Sequence, residues 1–205
     1  MDRARVQPAA AERRDEELLV ALANTEHDGT DELTGPADLA TWWQGLRGPL
    51  APTRSTEAGL EALRDLRRTV QEVAGHHNGG PAPRRAGRTP LTALALRPEL
   101  SDGSVTLVPQ VRGDLAADVT AVMVSALLRA AGRPRWKRVK RCPGTDCGWV
   151  FVDASRNASR RWCDMAGCGN RAKSAAFRAR LRRPDAGACA EQDRSSGDAA
   201  EPAHP

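Results

Sequence analysis

The chain has 205 residues, enough for a medium domain with a small appended module. Aromatic residues make up 3% and tyrosine is absent, so a core must come mainly from Leu, Val and Ala, which favours helices. No stretch approaches the roughly 18 to 20 apolar residues of a membrane span, and Met1 to Glu17 is charged rather than a leader, so a soluble cytoplasmic protein without a membrane partner is expected.

Residues 1–15 mix Ala, Arg and Glu without period and are expected to lack order. Leu18, Leu19 and Leu22 suit one face of a short helix over Glu16 to Asn24, and Pro36 to Leu46 restarts helix with proline in its first turn. In that second helix Trp42 and Trp43 diverge by about 100°, so one enters the core and the other lies at its edge. Glu57 to Ala74 is the clearest amphipathic helix, with Leu60, Leu63, Leu66, Val70 and Val73 at spacings of three and four. Its Arg64, Arg67 and Arg68 read as a solvated face. Gly75 to Arg88 reads as a loop, and His76-His77 lack a third metal ligand at helical spacing.

Leu91 to Leu96 and Val105 to Val111 read as a β-hairpin around Asp102-Gly103. Asp114 can cap a helix from Leu115 to Ala131, whose Val119, Val122, Met123, Ala126 and Leu127 make it the centre of the core. Gly132 and Pro134 end it, and Arg135 to Lys140 reads as a basic connector. The N-terminal region shows no paired carboxylates, nucleophile motif or phosphate-cradling glycine loop, so no enzyme is expected.

Charge is uneven along the chain. Residues 133–183 hold 15 Lys or Arg against Asp146, Asp153 and Asp164, and the remainder has 16 basic and 23 acidic residues. A general preference for arginine (28 Arg, 3 Lys) does not explain the local scarcity of acids or the confinement of all three lysines to this segment. Such a patch is the footprint of a polyanion partner.

Within it stand four of the five cysteines, Cys142-x4-Cys147-x15-Cys163-x4-Cys168. Two matched pairs are the pattern of a four-thiolate zinc site, in which tetrahedral closure leaves no position for water, so one structural zinc ion is expected. A thiol switch would more usually carry Cys-x-x-Cys at a helix start, and an iron–sulfur cluster suits these pairs less well than a single ion. Trp149 to Asp153 reads as a strand, and Trp149, Phe151 and Trp162 are candidates to cover the metal. Asn170 to Arg183 reads as an alanine-rich helix ending at Pro184. At 100° per residue Phe177 and Leu181 share one face, Arg171, Arg178 and Arg182 line one flank, and Lys173 and Arg180 the other. Cys189 stands alone in a polar tail, 184–205, expected to lack order.

Cys168-Gly169-Asn170-Arg171, with Cys142, Cys147, Phe151-Val152-Asp153, Ser155-Arg156-Asn157, Arg160-Arg161-Trp162-Cys163, Met165 and Lys173, resembles the CGNR zinc-finger family. The region before it resembles the ABATE-type domain, through Asn24-Thr25 and Leu39 to Trp43. The resemblance implies a stress-linked transcription regulator whose finger binds DNA. The expected architecture is mostly α with a small β-hairpin (α+β): a helical domain over 16–132 and a zinc finger with a basic helix over 133–183. Double-stranded DNA is the expected partner, met by Arg156, Arg160, Arg161, Arg171, Lys173, Arg178 and Arg182. A small-molecule effector and a homodimer are expected of the helical domain. The rival reading is a zinc-stabilised adaptor for RNA or protein.

Overall fold

The computed structural model describes residues 10–47, 54–83, 94–101 and 104–182. They fall into two units, one running through Gly169 and one beginning at Asn170. The first holds four helices, α1 (Ala10–Ala23), α2 (Pro36–Arg47), α3 (Glu57–His77) and α4 (Leu115–Ala131), and three two-stranded antiparallel sheets. These are β1 (Glu26–His27) with β2 (Thr30–Asp31), β3 (Leu96–Ser101) with β4 (Ser104–Pro109), and β5 (Val139–Arg141) with β6 (Val150–Val152). The second unit contributes α5 (Asn170–Leu181). The architecture is mostly helical with small hairpins, as the sequence indicates.

Helix α4 packs against α1, α2 and α3, and its Val119 and Met123 meet Leu22, Leu39, Trp43, Leu60 and Leu63 in the main core. Trp43 is buried and Trp42 only partly, at the rim of that core. One carboxylate starts two helices. Asp114 accepts from Ala117 N (3.1 Å) to cap α4, and from Thr56 N and Oγ (3.2 and 2.6 Å), while Thr56 Oγ in turn accepts from Gly59 N to cap α3.

Several elements differ from the sequence reading for identifiable reasons. Helix α1 begins at Ala10 rather than Glu16, because Asp15 is buried and accepts from Arg129 (2.6 Å) and Arg133 (3.0 Å), which anchors a stretch expected to lack order. Residues 1–9 lie outside those described. Helix α3 continues through His77, past the loop expected from Gly75: the His77 ring packs edge-on against Trp136, and its Nδ1 lies 2.9 Å from Val139 O. Arg67, assigned to a solvated face, is 1% exposed and pairs with Asp31 and Glu26.

The first hairpin strand is Leu96–Ser101, not Leu91–Leu96, of which 91–93 lie outside the described residues. Pro98 is tolerated inside it because Gln110 N bonds to Ala95 O, which makes the odd-numbered β3 residues the hydrogen-bonded ones. Pro98, opposite Leu107, therefore has no ladder partner to lose.

Residues 134–141 are not a solvated connector. Pro134–Arg138 form a 3₁₀ turn that buries Trp136, and the strand after it buries Val139 and Lys140. Trp136, Val139 and Val150 belong to a second core cluster with Leu19, Ala23, Val70, Ala74, Ala126 and Ala130. At about 1.5 to 3 kcal/mol for each large apolar side chain buried, this shared cluster joins the cysteine-bearing hairpin firmly to the helices.

Candidate metal centre

The first cysteine pair lies on the β5–β6 connection. Cys142 N donates to Trp149 O (2.8 Å) and Cys147 N to Gly144 O (3.1 Å), closing a tight knuckle. Gly148 takes φ +63°, and a Cβ at Gly144 would stand only 3.2 to 3.6 Å from Cys147 Cβ and the sulfurs of Cys168 and Cys142, so both positions favour glycine. The second pair is shaped by Asp164, whose carboxylate accepts from Ala166 N (3.2 Å) and Gly167 N (2.5 Å). A single π turn, Met165–Gly169, then carries Cys168.

All four sulfurs lie within 4.8 Å of one another. Cys147 and Cys163 are 3.4 Å apart and Cys163 and Cys168 3.7 Å. A tetrahedron with bonds of about 2.3 Å sets its corners about 3.8 Å apart, so the four donors fit one zinc ion. Electrostatics agree with that fit. Burial and the neighbouring thiols push Cys163 and Cys168 upward, whereas at Cys142 the backbone N–H groups of Cys163 and Gly144 outweigh burial and bring it down. Four adjacent sulfurs cannot all ionise without a cation between them, and a soft divalent ion supplies it. The site is structural, with no ligand position left for a reacting water. Phe151 and Trp162 pack against it. Trp149 does not: it is 39% exposed and meets His27 edge-on, with ring centroids 4.8 Å apart.

Between the two cysteine pairs, a buried ion pair organises the loop. Lys140 Nζ donates to Asp153 Oδ2 (2.7 Å), Ala158 O (2.5 Å) and Arg160 O (3.0 Å). Asp153 also accepts from Ser155 N and Oγ and from Arg160 N. Burial would raise Asp153, but Lys140 and Ser155 outweigh it and hold it at about 2. Sequence reasoning counted Lys140 in the cationic patch; the lone acid of Phe-Val-Asp inside a basic segment was the available sign of a partner.

The patch is smaller than its composition. Arg133 and Arg135 pair with Asp15 and Glu16, and Arg138 donates to Asp153 O and Ser155 O. Arg160, one of the expected DNA contacts, bonds to the carbonyls of Trp162 and Cys163 and lies 4.9 Å over the Phe151 ring, bracing the second cysteine pair. Arg156 and Arg161 are exposed, as are Arg171, Lys173, Arg178 and Arg182 in the second unit. No side chain of α5 is buried; Phe177 is 56% and Leu181 71% exposed. Cys189 lies outside the described residues.

Asn24, at the end of α1, has a structural role. Its Nδ2 donates to Val150 O (2.9 Å) and its Oδ1 accepts from Val150 N (2.7 Å), so the end of α1 pairs with β6 like a further strand.

A helical unit continuous with a four-cysteine site defines a zinc-binding protein. Residues 138–181 match the CGNR zinc finger, and residues 16–146 match ABATE, described as a putative stress-induced transcription regulator. The chain belongs to the ABATE family and carries a CGNR zinc finger. Comparison with curated proteins finds no match. Among the described residues no helix is long and apolar enough to cross a membrane.

Proposed function

We propose that the protein is a DNA-binding transcription regulator, responsive to stress or to a metabolite, whose zinc finger and α5 contact duplex DNA. The observation that carries this reading is α5: it has Arg171, Lys173, Arg178 and Arg180, no acidic residue, and no buried side chain. Guanidinium groups pair bidentately with phosphate and with guanine edges, which suits a cationic helix for duplex recognition. Arg156, Arg160 and Arg161 are further candidate contacts on the finger, and Arg160 in addition braces the second cysteine pair.

The test is a mobility shift with the zinc-loaded chain on random and genomic duplexes over a salt series. The expected result is affinity that falls linearly in log–log with salt, because each neutralised phosphate releases counterions. No binding at low salt sinks the reading. The exposed Phe177 and Leu181 favour the rival, a protein or RNA adaptor. Salt-insensitive capture of a protein, or preference for single-stranded RNA, replaces the first reading with the second. An effector acts through the ABATE part; a cleft of about 520 Å³ between its β1–β2 turn and the first cysteine knuckle of the finger is a candidate place for it. Homodimer formation is tested by light scattering.

A further inference from the structure

We propose that a second cleft, between the end of α3 and the first cysteine knuckle, binds a phosphate group through Arg141 and Arg161. The choice of a DNA backbone as its natural source rests on the function proposed above; the chemistry of the cleft does not. The space is about 380 Å³, walled by Gly75 and the Asn78 to Gly80 turn on one side and by Cys142 to Thr145 on the other. Both arginines line it and, among the described residues, no carboxylate does.

The arginines are held there by one side chain. Asn78 Nδ2 donates to Arg141 O (2.9 Å) and to Arg161 O (2.7 Å), fixing the backbones of two residues distant in sequence beside the same opening. Arg141 Nε donates to Gly148 O (3.2 Å), which orients its guanidinium and leaves the terminal N–H groups to a ligand. Among the described residues neither arginine forms an ion pair. Two guanidinium groups over one cleft match a phosphate, each able to give paired N–H bonds to its oxygens.

The negative end of α3 would oppose an anion, but two of its last carbonyls are already engaged. Gly75 O accepts from Asn78 N and Gly80 N, and His76 O from Gly79 N. The selectivity is local. On the other side of the same knuckle, the larger cleft shares Arg141, Thr145 and Gly148 but presents Glu26, Asp28, Asp31 and Asp146, which repel phosphate.

The alternative role for the two arginines is to balance the charge of a zinc tetrathiolate, and the experiment separates the two. Full-length zinc-loaded protein is titrated with inorganic phosphate by calorimetry and with duplex DNA at low salt. The variants are Arg141→Ala, Arg161→Ala and Gly75→Leu. A Cβ at Gly75 meets nothing within 4 Å, so leucine there fills the cleft and leaves both arginines in place. Saturable phosphate binding that weakens about tenfold or more in each variant, with one zinc per chain retained, is expected from the strength of charge-assisted hydrogen bonds.

If phosphate competes with DNA, the backbone is the source; if phosphate binds without displacing DNA, the source is a free phosphate-bearing molecule. Either result supports the site. Phosphate binding by a protein that ignores DNA removes the DNA reading and keeps the site. Unchanged affinity for both probes in all variants overturns the site alone, as does the absence of saturable phosphate binding. Loss of zinc from the arginine variants, with Gly75→Leu still binding normally, assigns the arginines to the metal and also overturns it.

Discussion

Arg67 shows how a single side chain can be both legible and misread. The spacing that places Leu60, Leu63, Val70 and Ala74 on one stripe of α3 places position 67 there too, and the structure buries it with them. A buried guanidinium persists only with partners, and Asp31 supplies two bonds (2.6 and 2.8 Å), Thr25 one, and Glu26 an ion pair. Asp31→Asn should destabilise the unit by about 2 kcal/mol, below the roughly 3–5 kcal/mol of a fully buried pair because Asp31 is partly exposed. The bond from Arg67 outweighs burial and holds Asp31 below 3.8. A carboxylate lowered on folding gives stability that is complete above its unfolded value and lost as pH falls through its folded one. The difference in unfolding free energy between wild type and Asp31→Asn should thus stay constant from neutral pH to about 4 and shrink below it; zinc release in acid affects both proteins alike. A difference that shrinks already between pH 7 and 5 contradicts the assignment. Asp153, held at about 2 by Lys140 and Ser155, follows the same sign. There Asp153→Asn leaves a buried ammonium opposite a neutral amide, and zinc should pass to a chelating dye faster than from wild type.

Among the elements, those whose ends are set by local chemistry were legible. Asp114 and Gly132 bracket α4 as the sequence indicates, and the cysteine knuckles follow from spacing and turn residues. What escaped sequence reasoning were ends set by tertiary partners: the start of α1, fixed by Arg129 of α4 and Arg133 just after it; the last turn of α3, fixed by Val139 and Trp136; and the segment 134–141, whose charges suggested solvent while Trp136 and Val139 decided burial. Periodicity carries no information about such contacts. Asn24 is the sharpest case, because its two bonds to Val150 join α1 to β6 across 126 positions. Asn24→Ala removes both and leaves the Val150 N–H and C=O without them, at a cost of about 2 kcal/mol. Asn24→Asp keeps an acceptor for Val150 N but sets a carboxylate oxygen against Val150 O, and should be no milder. Denaturant midpoints of the two variants check this; an alanine variant as stable as wild type would show that the pairing is incidental.

At the scale of the molecule, the matches to the two families overlap over residues 138–146, and the structure gives that overlap a physical basis. Strand β5 belongs at once to the hairpin that presents Cys142 and to the core cluster formed by α1, α3 and α4. A finger tethered by a linker would unfold alone when its metal is removed. Here the loss of zinc frees Cys142 and Cys147 on a connection whose strands fill the helical core, so the helices should feel it. A ligand bound only by the folded state stabilises it by about 4 kcal/mol at a thousandfold excess over Kd, and zinc held by four thiolates is such a ligand. Scanning calorimetry should therefore show one transition for the first unit with zinc and one transition, at lower temperature, after chelation; Cys163→Ser should reproduce the chelated trace. Two separate transitions in the zinc-loaded protein, with the upper one indifferent to chelator, would mean that the shared core does not couple the parts. In that event the metal could not report the state of the helices to the cationic surface of the finger, and an effector bound by the helical part would need another route to it.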